Sequence, residues 1–314
     1  MGASFLTFDT SLLSPTGGSR FRNMPSRGSS SRFGSGDESR IGHWVRRIVY
    51  SPLRLVELLP IIRSLRGGAL KKLPNTGLAL FERTQGLHGG SIEAGIRIVK
   101  RRLKGPPASV LVVGCGDGRE VQHWHESSLA VGQDVLDFSK EWISLQTEGR
   151  SFVRCQIEHL AFRDEAFDSV SANAVFEHLP RFDQCAAEIN RVLRPRGTIS
   201  ASFAPLWFTY EGAHDGFADY QHLFKTGQEL IETVRPGSQA ELFLRHDMFS
   251  KLRVEDYRSI LSRHFEIERW AIGLSSKGLK FKRKSPEVWS ALRTRCEEAD
   301  LLAWGIYFLG VKRD

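Results

Sequence analysis

Apolar residues change their spacing along this chain and divide it into three stretches. Residues 1–40 hold few of them. Ser, Gly and Arg dominate, as in Gly28-Ser29-Ser30-Ser31-Arg32-Phe33-Gly34-Ser35-Gly36. So little apolar surface cannot offset the entropy of ordering, which predicts a disordered tail. From Ile41 to Leu65, Trp44, Val45, Ile48, Val49, Leu55, Val56 and Leu59 recur at helical intervals with arginines between them. Pro52 and Pro60 cut that pattern into two or three short helices. After a further helical stretch at Ser91–Leu103 and a Gly105-Pro106-Pro107 turn, the pattern alternates. Apolar runs at Ser109–Val113, Leu129–Gln133, Phe152–Gln156, Ser169–Ala172 and Thr198–Phe203 predict strands, separated by helical patterns around Arg119–Ser127, Ser139–Thr147 and Gln184–Leu193.

Strand–helix–strand alternation builds a parallel sheet. Right-handed crossovers then bring the strand C-termini to one edge, and ligands bind there, where the strand order reverses. Two further apolar runs, Phe265–Ile272 and Trp304–Lys312, bring the expected strands to seven. The expected organisation is a tail over 1–40, a helical cap or extension over 41–107 and an α/β domain over 108–314.

Charge separates these regions further. Residues 1–110 carry 18 Lys and Arg against 6 Asp and Glu, whereas residues 111–314 carry 26 against 30. A basic N-terminal third suits an anionic partner, either nucleic acid or a membrane surface, and equally suits a merely solvated face. Packing of Trp44, Ile48, Val49, Val56 and Leu59 onto the domain is the preferred expectation over peripheral membrane contact. The two prolines suit wrapping better than they suit one long interfacial helix. No run of 18 or more apolar residues occurs, so no transmembrane helix is expected. Met1–Leu6 lacks a basic-then-apolar leader, and Leu6 sits where a myristoylation signal has Ser or Thr. The four cysteines, Cys115, Cys155, Cys185 and Cys296, are scattered with no CxxC pair. Together these features predict a reducing, cytoplasmic setting without a disulfide framework or a bound metal.

The densest candidate chemistry lies in Val110-Leu111-Val112-Val113-Gly114-Cys115-Gly116-Asp117-Gly118-Arg119-Glu120, where a buried strand runs into glycines and then a helix. Glycines let backbone approach a ligand closely, and free N–H groups at a helix start offer donors to it. Arg119 stands where the dinucleotide fingerprint GxGxxG has its third glycine, and a glycine is found at 118 instead. That spacing suits an amino-acid moiety better than a pyrophosphate and argues against a nicotinamide oxidoreductase.

In this segment and several after it the chain resembles the class I S-adenosylmethionine-dependent methyltransferases, above all those acting on small molecules and lipids. The resemblance covers about residues 108–204, and its specificity lies in the order of the matches. It implies a Rossmann-like seven-stranded sheet flanked by helices, with S-adenosylmethionine as cofactor. Gly114, Cys115, Gly116, Asp117 and Gly118 would lie under the methionine part, with Asp117 near its amino group. Asp134, in Gly132-Gln133-Asp134-Val135, would accept hydrogen bonds from both ribose hydroxyls, a task for which a carboxylate's two acceptor oxygens are suited. Its alternative role is a helix N-cap. Gln156 and Ile157, in Gln156-Ile157-Glu158-His159-Leu160-Ala161-Phe162, would hold adenine, although the family often has an acidic residue at Gln156 and Pro at Ala161. Asn173 and Ala174, inside Ala166-Phe167-Asp168-Ser169-Val170-Ser171-Ala172-Asn173-Ala174-Val175-Phe176-Glu177-His178-Leu179-Pro180, would lie beside the methyl donor, and Asp168 would be structural.

Methyl transfer to oxygen or nitrogen needs alignment and sometimes a base for the acceptor's proton. Candidate bases are His178, His214 and His222, with Asp215 beside them. Any one histidine is more commonly a packing or capping residue. As a group they stand among the aromatic side chains of Ala204–Lys225, a region that in this family commonly forms the acceptor pocket. The expected function is methylation of a small-molecule or lipid-like acceptor. An RNA methyltransferase using the basic N-terminal region is the first rival. Asn173-Ala174-Val175-Phe176 lacks the Pro-Pro-aromatic box of base methylation, and no Pro-Cys nucleophile follows, so nucleic acid is weighed below a small acceptor. A non-catalytic scaffold that binds S-adenosylmethionine is the second rival, weighed lower because the glycine loop and Asp134 are intact.

Overall fold

The computed structural model describes residues 91–214 and 219–313. The tail expected over 1–40, the helices expected over 41–65, and Asp215 lie outside the described residues.

Strand β1 (Ser109–Val113) is buried along its whole length, which is why it reads as an unbroken apolar run. Its side chains alternate between two cores. Val110 and Val112 pack with Ile96, Ile98 and Val99 of helix α1 (Ser91–Leu103), while Leu111 and Val113 join Val170, Ile189 and Ile199 on the other face. Helix α1 falls within the expected 41–107 extension, yet it belongs to the layer that covers the sheet.

α2 (Arg119–Gln122), β2 (Leu129–Asp134), α3 (Ser139–Leu145), β3 (Arg150–Arg154), β4 (Phe167–Asn173), α4 (Phe182–Val192) and β5 (Leu193–Phe203) follow in the expected alternation. Then come helices α5 (Gly227–Thr233), α6 (Gln239–Arg245) and α7 (Val254–His264), strand β6 (Phe265–Leu274), helices α8 (Ser276–Lys284), α9 (Pro286–Arg293) and α10 (Glu298–Leu302), and strand β7 (Ala303–Lys312). The sheet has seven strands in the order β3-β2-β1-β4-β5-β7-β6. The first five pair in parallel, as expected. β7 does not follow the expected common direction: it pairs antiparallel with both β5 and β6. Helices α8 to α10 return the chain to the edge at which β6 ends, so β7 starts there and runs back between its two neighbours.

Asp168 works at the opposite end of the sheet, as expected of a structural residue. Its carboxylate accepts from the Ser109 amide (2.8 Å) and hydroxyl (3.0 Å) and pairs with Arg194, fixing the entry of β4 beside that of β1. The segment between β5 and α7 has a core of its own, built from Trp207, Ala213, Leu230, Val234, Ala240, Phe243 and Phe249. Thr226 and Ser238 cap α5 and α6, and Thr226 forms a capping box with Glu229. Strand order reverses between β1 and β4, so a crevice opens at their C-terminal ends, rimmed by Gly114 on one side and Asn173-Ala174 on the other.

Candidate active site

Gly114, Gly116 and Gly118 all adopt left-handed backbone, with φ of +61°, +53° and +86°, but for different reasons. A Cβ at Gly114 would strike the side chain of Val175, and one at Gly118 would lie 2.6 Å from Cε1 of Phe152. These two positions are dictated by packing within the protein. A Cβ at Gly116 would meet nothing within 4 Å among the described residues, so toward them this residue borders open space. Cys115 turns its thiol into the core formed with Val112 and Trp142, and burial pushes the thiol up. Cys115 can therefore serve a ligand only through its backbone. The Asp117 carboxylate accepts from the Arg119 amide (3.2 Å) and from its Nε (2.6 Å).

The loop is tied to β2 by Asp134. One carboxylate oxygen accepts the Gly116 N–H and the other the Leu136 N–H, both at 2.9 Å, and the residue is 7% exposed. Burial raises its carboxyl above the usual range, against the lowering effect of those amides. The Val135 amide also lowers it, and of the carboxylate's roughly four acceptor positions at least one is left for another donor. Asp134 does not cap α3, whose N-cap is Phe138.

Two residues that the sequence did not single out complete the loop. The Trp142 indole N–H donates to Gly116 O at 2.8 Å while its ring stacks on Phe152, and the Gln133 amide bridges Gly114 N–H to the Cys155 carbonyl. The available signal for Trp142 was an aromatic residue placed to face inward on the helix after Asp134. Trp142→Phe keeps the stack and removes the hydrogen bond. It is expected to weaken S-adenosylmethionine about tenfold with little change in Tm, as a calorimetric titration would read. Equal affinity in the two proteins would detach Trp142 from the loop's geometry.

At the end of β4, the Asn173 amide donates to Glu120 (2.7 Å) and Ser171 (3.2 Å), and the Ser171 hydroxyl donates to the same Glu120 oxygen (2.6 Å). Burial raises the Glu120 carboxyl, although these two donors lower it. This triad clamps the start of α2 to β4, so the Asn173 amide is engaged inside the protein. Ala174 is exposed and left-handed, with φ +53°. Gln156 is exposed, while Ile157 is buried in the main core, so of the two expected adenine contacts only the amide of Gln156 and the backbone of Ile157 are free to serve.

Residues 111–201 match the model of the family described as a methyltransferase domain. Over this stretch the chain is similar to the class I S-adenosylmethionine-dependent methyltransferases. A malonyl-[acyl-carrier protein] O-methyltransferase of Pseudescherichia vulneris is 30% identical over 97 residues, which is 30% of this chain and 38% of that protein. A phthiotriol/phenolphthiotriol dimycocerosates methyltransferase of Mycobacterium leprae is 33% identical over 99 residues, 29% of this chain and 36% of that protein. The match thus spans under two fifths of either relative. A solved S-adenosylmethionine dependent methyltransferase from Mesorhizobium loti is 16% identical, with a TM-score of 0.48 over 72% of this chain and 100% of that one.

The residues at this edge suit S-adenosylmethionine. A buried carboxylate with an acceptor position to spare ends β2, where a ribose diol needs acceptors, and open space lies over Gly116 where a Cβ would otherwise project. Gly116, Asp134 and the amide of Gln156 are the residues that would hold it. Among the described residues no three potential metal ligands cluster, and no helix is long and apolar enough to cross a membrane.

The three candidate histidines divide into a pair and a single residue. His178 Nδ1 lies 3.1 Å from the Met248 carbonyl, which can only accept, so Nδ1 carries the proton and Nε2 accepts from His214 Nε2, also at 3.1 Å. Both His178 nitrogens are engaged. Burial, reinforced by His214, pushes its pKa down to about 3 and keeps it neutral. His222 donates from Nε2 to the Trp207 carbonyl (2.6 Å), while its Nδ1 is buried with no partner among the described residues. Burial lowers its pKa to about 4. Of the three, His222 presents an unengaged acceptor nitrogen.

Glu177, two residues before Leu179, accepts the Ala204 N–H at 3.1 Å through one oxygen, and its other oxygen has no partner among the described residues. Burial pushes its carboxyl up to about 8 from an ordinary 4.5. A raised carboxyl favours the protonated form in the folded state. Its contribution is therefore fully present below pH 4.5 and is lost as pH rises towards 8. Glu177→Gln stays neutral throughout, so its Tm is expected to gain several degrees relative to the parent protein between pH 5 and 8 in paired thermal melts. A difference independent of pH would contradict the shift.

Proposed function

We propose that the chain transfers a methyl group from S-adenosylmethionine to an oxygen or nitrogen of a small-molecule or lipid-like acceptor. The observation that carries the reading is the juxtaposition, at the switch point of the sheet, of the buried Asp134 carboxylate with the open space over Gly116. The two relatives named above are, by their names, methyltransferases of malonyl-[acyl-carrier protein] and of phthiotriol/phenolphthiotriol dimycocerosates, and this supports an acyl or lipid-like acceptor.

When bound, the cofactor would supply an electrophilic methyl group for the acceptor's lone pair. The chain's contribution is alignment. Asp134 and the backbone of the glycine loop position the donor, and the clamp of Glu120, Ser171 and Asn173 holds the two sides of the crevice at a fixed separation. Of the histidines, His222 is the one suited to take the acceptor's proton, because its Nδ1 is an open acceptor. His178 and His214 act as a structural pair. The protein is proposed to work in the cytoplasm.

The test is to incubate the full chain with S-adenosylmethionine and a panel of acyl and aryl hydroxy acids and measure S-adenosylhomocysteine. Acceptor-dependent release supports the reading. A second reading, an RNA acceptor, is favoured by the basic residues 1–110. It would gain from release driven by RNA and not by any small acid.

A further inference from the structure

Beyond the glycine loop, a cavity of about 430 Å³ lies between the segment after β5, α5, α6 and the residues following α9. That volume falls within the roughly 300–1,000 Å³ usual for small-molecule sites. Its walls are apolar and aromatic, with Trp207, Phe249 and Leu230 prominent among them. The wall also carries His222, which is 1% exposed and whose Nδ1 has no partner among the described residues. A buried acceptor left without a donor costs stability, so this nitrogen marks a place where a ligand's O–H or N–H would be rewarded.

The polar lining is mostly cationic. Lys225, Lys251 and Arg295 all line the cavity, against one carboxylate, that of Asp247. Asp247 pairs with Lys251 at 2.8 Å and so neutralises it. Lys225 instead donates to the Thr233 hydroxyl (3.2 Å), and Arg295 donates to the Leu223 carbonyl (3.3 Å) and lies over the Phe224 ring. Neither forms an ion pair among the described residues, so two positive charges remain for a ligand. Phe249 links the cavity wall to the two paired histidines. That ring forms part of the wall and packs against His178 (5.7 Å) and His214 (5.4 Å), in the turn after β4 and the segment after β5.

We propose that this cavity binds a small amphipathic anion whose apolar body lies against Trp207 and Phe249, whose carboxylate or phosphate meets Lys225 and Arg295, and whose hydroxyl or amine donates to His222 Nδ1. Identifying that ligand with the methyl acceptor rests on the methyl-transfer reading above, whereas occupancy of the cavity does not.

The test is a calorimetric titration of the full chain with 10-hydroxydecanoate, its 10-methoxy ether and 1,10-decanediol, and separately with S-adenosylmethionine. The hydroxy acid is expected to bind about fivefold tighter than the ether, which has lost the donor for Nδ1. It is also expected to bind at least about tenfold tighter than the diol, which lacks the charge. Lys225 and Arg295 are solvent-accessible, so the double variant Lys225→Ala/Arg295→Ala should fold and should lose the preference for the acid over the diol. A decanoate phosphate analogue, decyl phosphate, that binds the parent tighter than the acid would identify the anion as a phosphate. No binding of any probe at millimolar concentration, or equal binding of acid and diol, would overturn the cavity assignment. Normal S-adenosylmethionine binding beside that failure would leave the methyltransferase reading standing. Amphiphile binding without S-adenosylmethionine binding would uphold the cavity and overturn methyl transfer.

Discussion

Asp134→Ala is expected to weaken S-adenosylmethionine binding by about 1.5–3 kcal/mol, roughly ten- to hundredfold, the range for losing charge-assisted hydrogen bonds. The carboxylate has two duties. It accepts the Gly116 and Leu136 amides, and it keeps an acceptor position for a diol at the end of β2. Alanine removes both, so some of the loss comes from a loosened loop and some from the missing ribose acceptor. Trp142→Phe loosens the same loop from the other side without touching the carboxylate. An affinity loss clearly larger for Asp134→Ala than for Trp142→Phe assigns the excess to ribose. Calorimetry showing unchanged affinity in a folded Asp134→Ala protein would remove Asp134 from the site.

Gly116→Val is expected to abolish measurable binding while the fold survives. The valine side chain would project into space that holds no atom of the described residues within 4 Å of its Cβ, so the expected clash is with the ligand. The intramolecular cost is that of left-handed backbone at φ +53°, about 1–2 kcal/mol for an L-residue and more awkward for a β-branched one. Gly114→Ala and Gly118→Ala make the contrast, because their Cβ atoms collide with Val175 and Phe152. Those two should lower Tm first and affinity second. A Gly116→Val protein that still binds S-adenosylmethionine would give the loop another role.

The strands that build the site were legible because burial on both faces leaves a plain apolar run: β1 is found at Ser109–Val113 as expected. The start of β5 was not, since Arg194-Pro195-Arg196-Gly197 reads as a turn. Its entry is instead held by pairing of Leu193 with Phe167 across a register shift. No element was expected between Phe203 and Phe265, although Thr226 followed by Glu229 is a capping-box pattern that marks α5. Within the site, residue types were readable but side-chain directions were not. Cys115 and Ile157 lie in segments expected to face the cofactor and yet bury their side chains, and Asn173 turns to Glu120, because the protein's own partners claim them. The sequence could not separate His222 from His178 and His214 either. What distinguishes them is which ring nitrogens find partners, a property of folds 36 and 15 residues apart in sequence.

The central claim is that the loop Gly114–Gly118 and Asp134 hold S-adenosylmethionine, and the most direct measurement is a calorimetric titration of the intact chain with S-adenosylmethionine and, in parallel, with NADH. Binding of S-adenosylmethionine at one site per chain, displaced by S-adenosylhomocysteine and accompanied by no heat from NADH, is the predicted result. A folded protein that gives no heat with S-adenosylmethionine, or that binds NADH in its place, would contradict it.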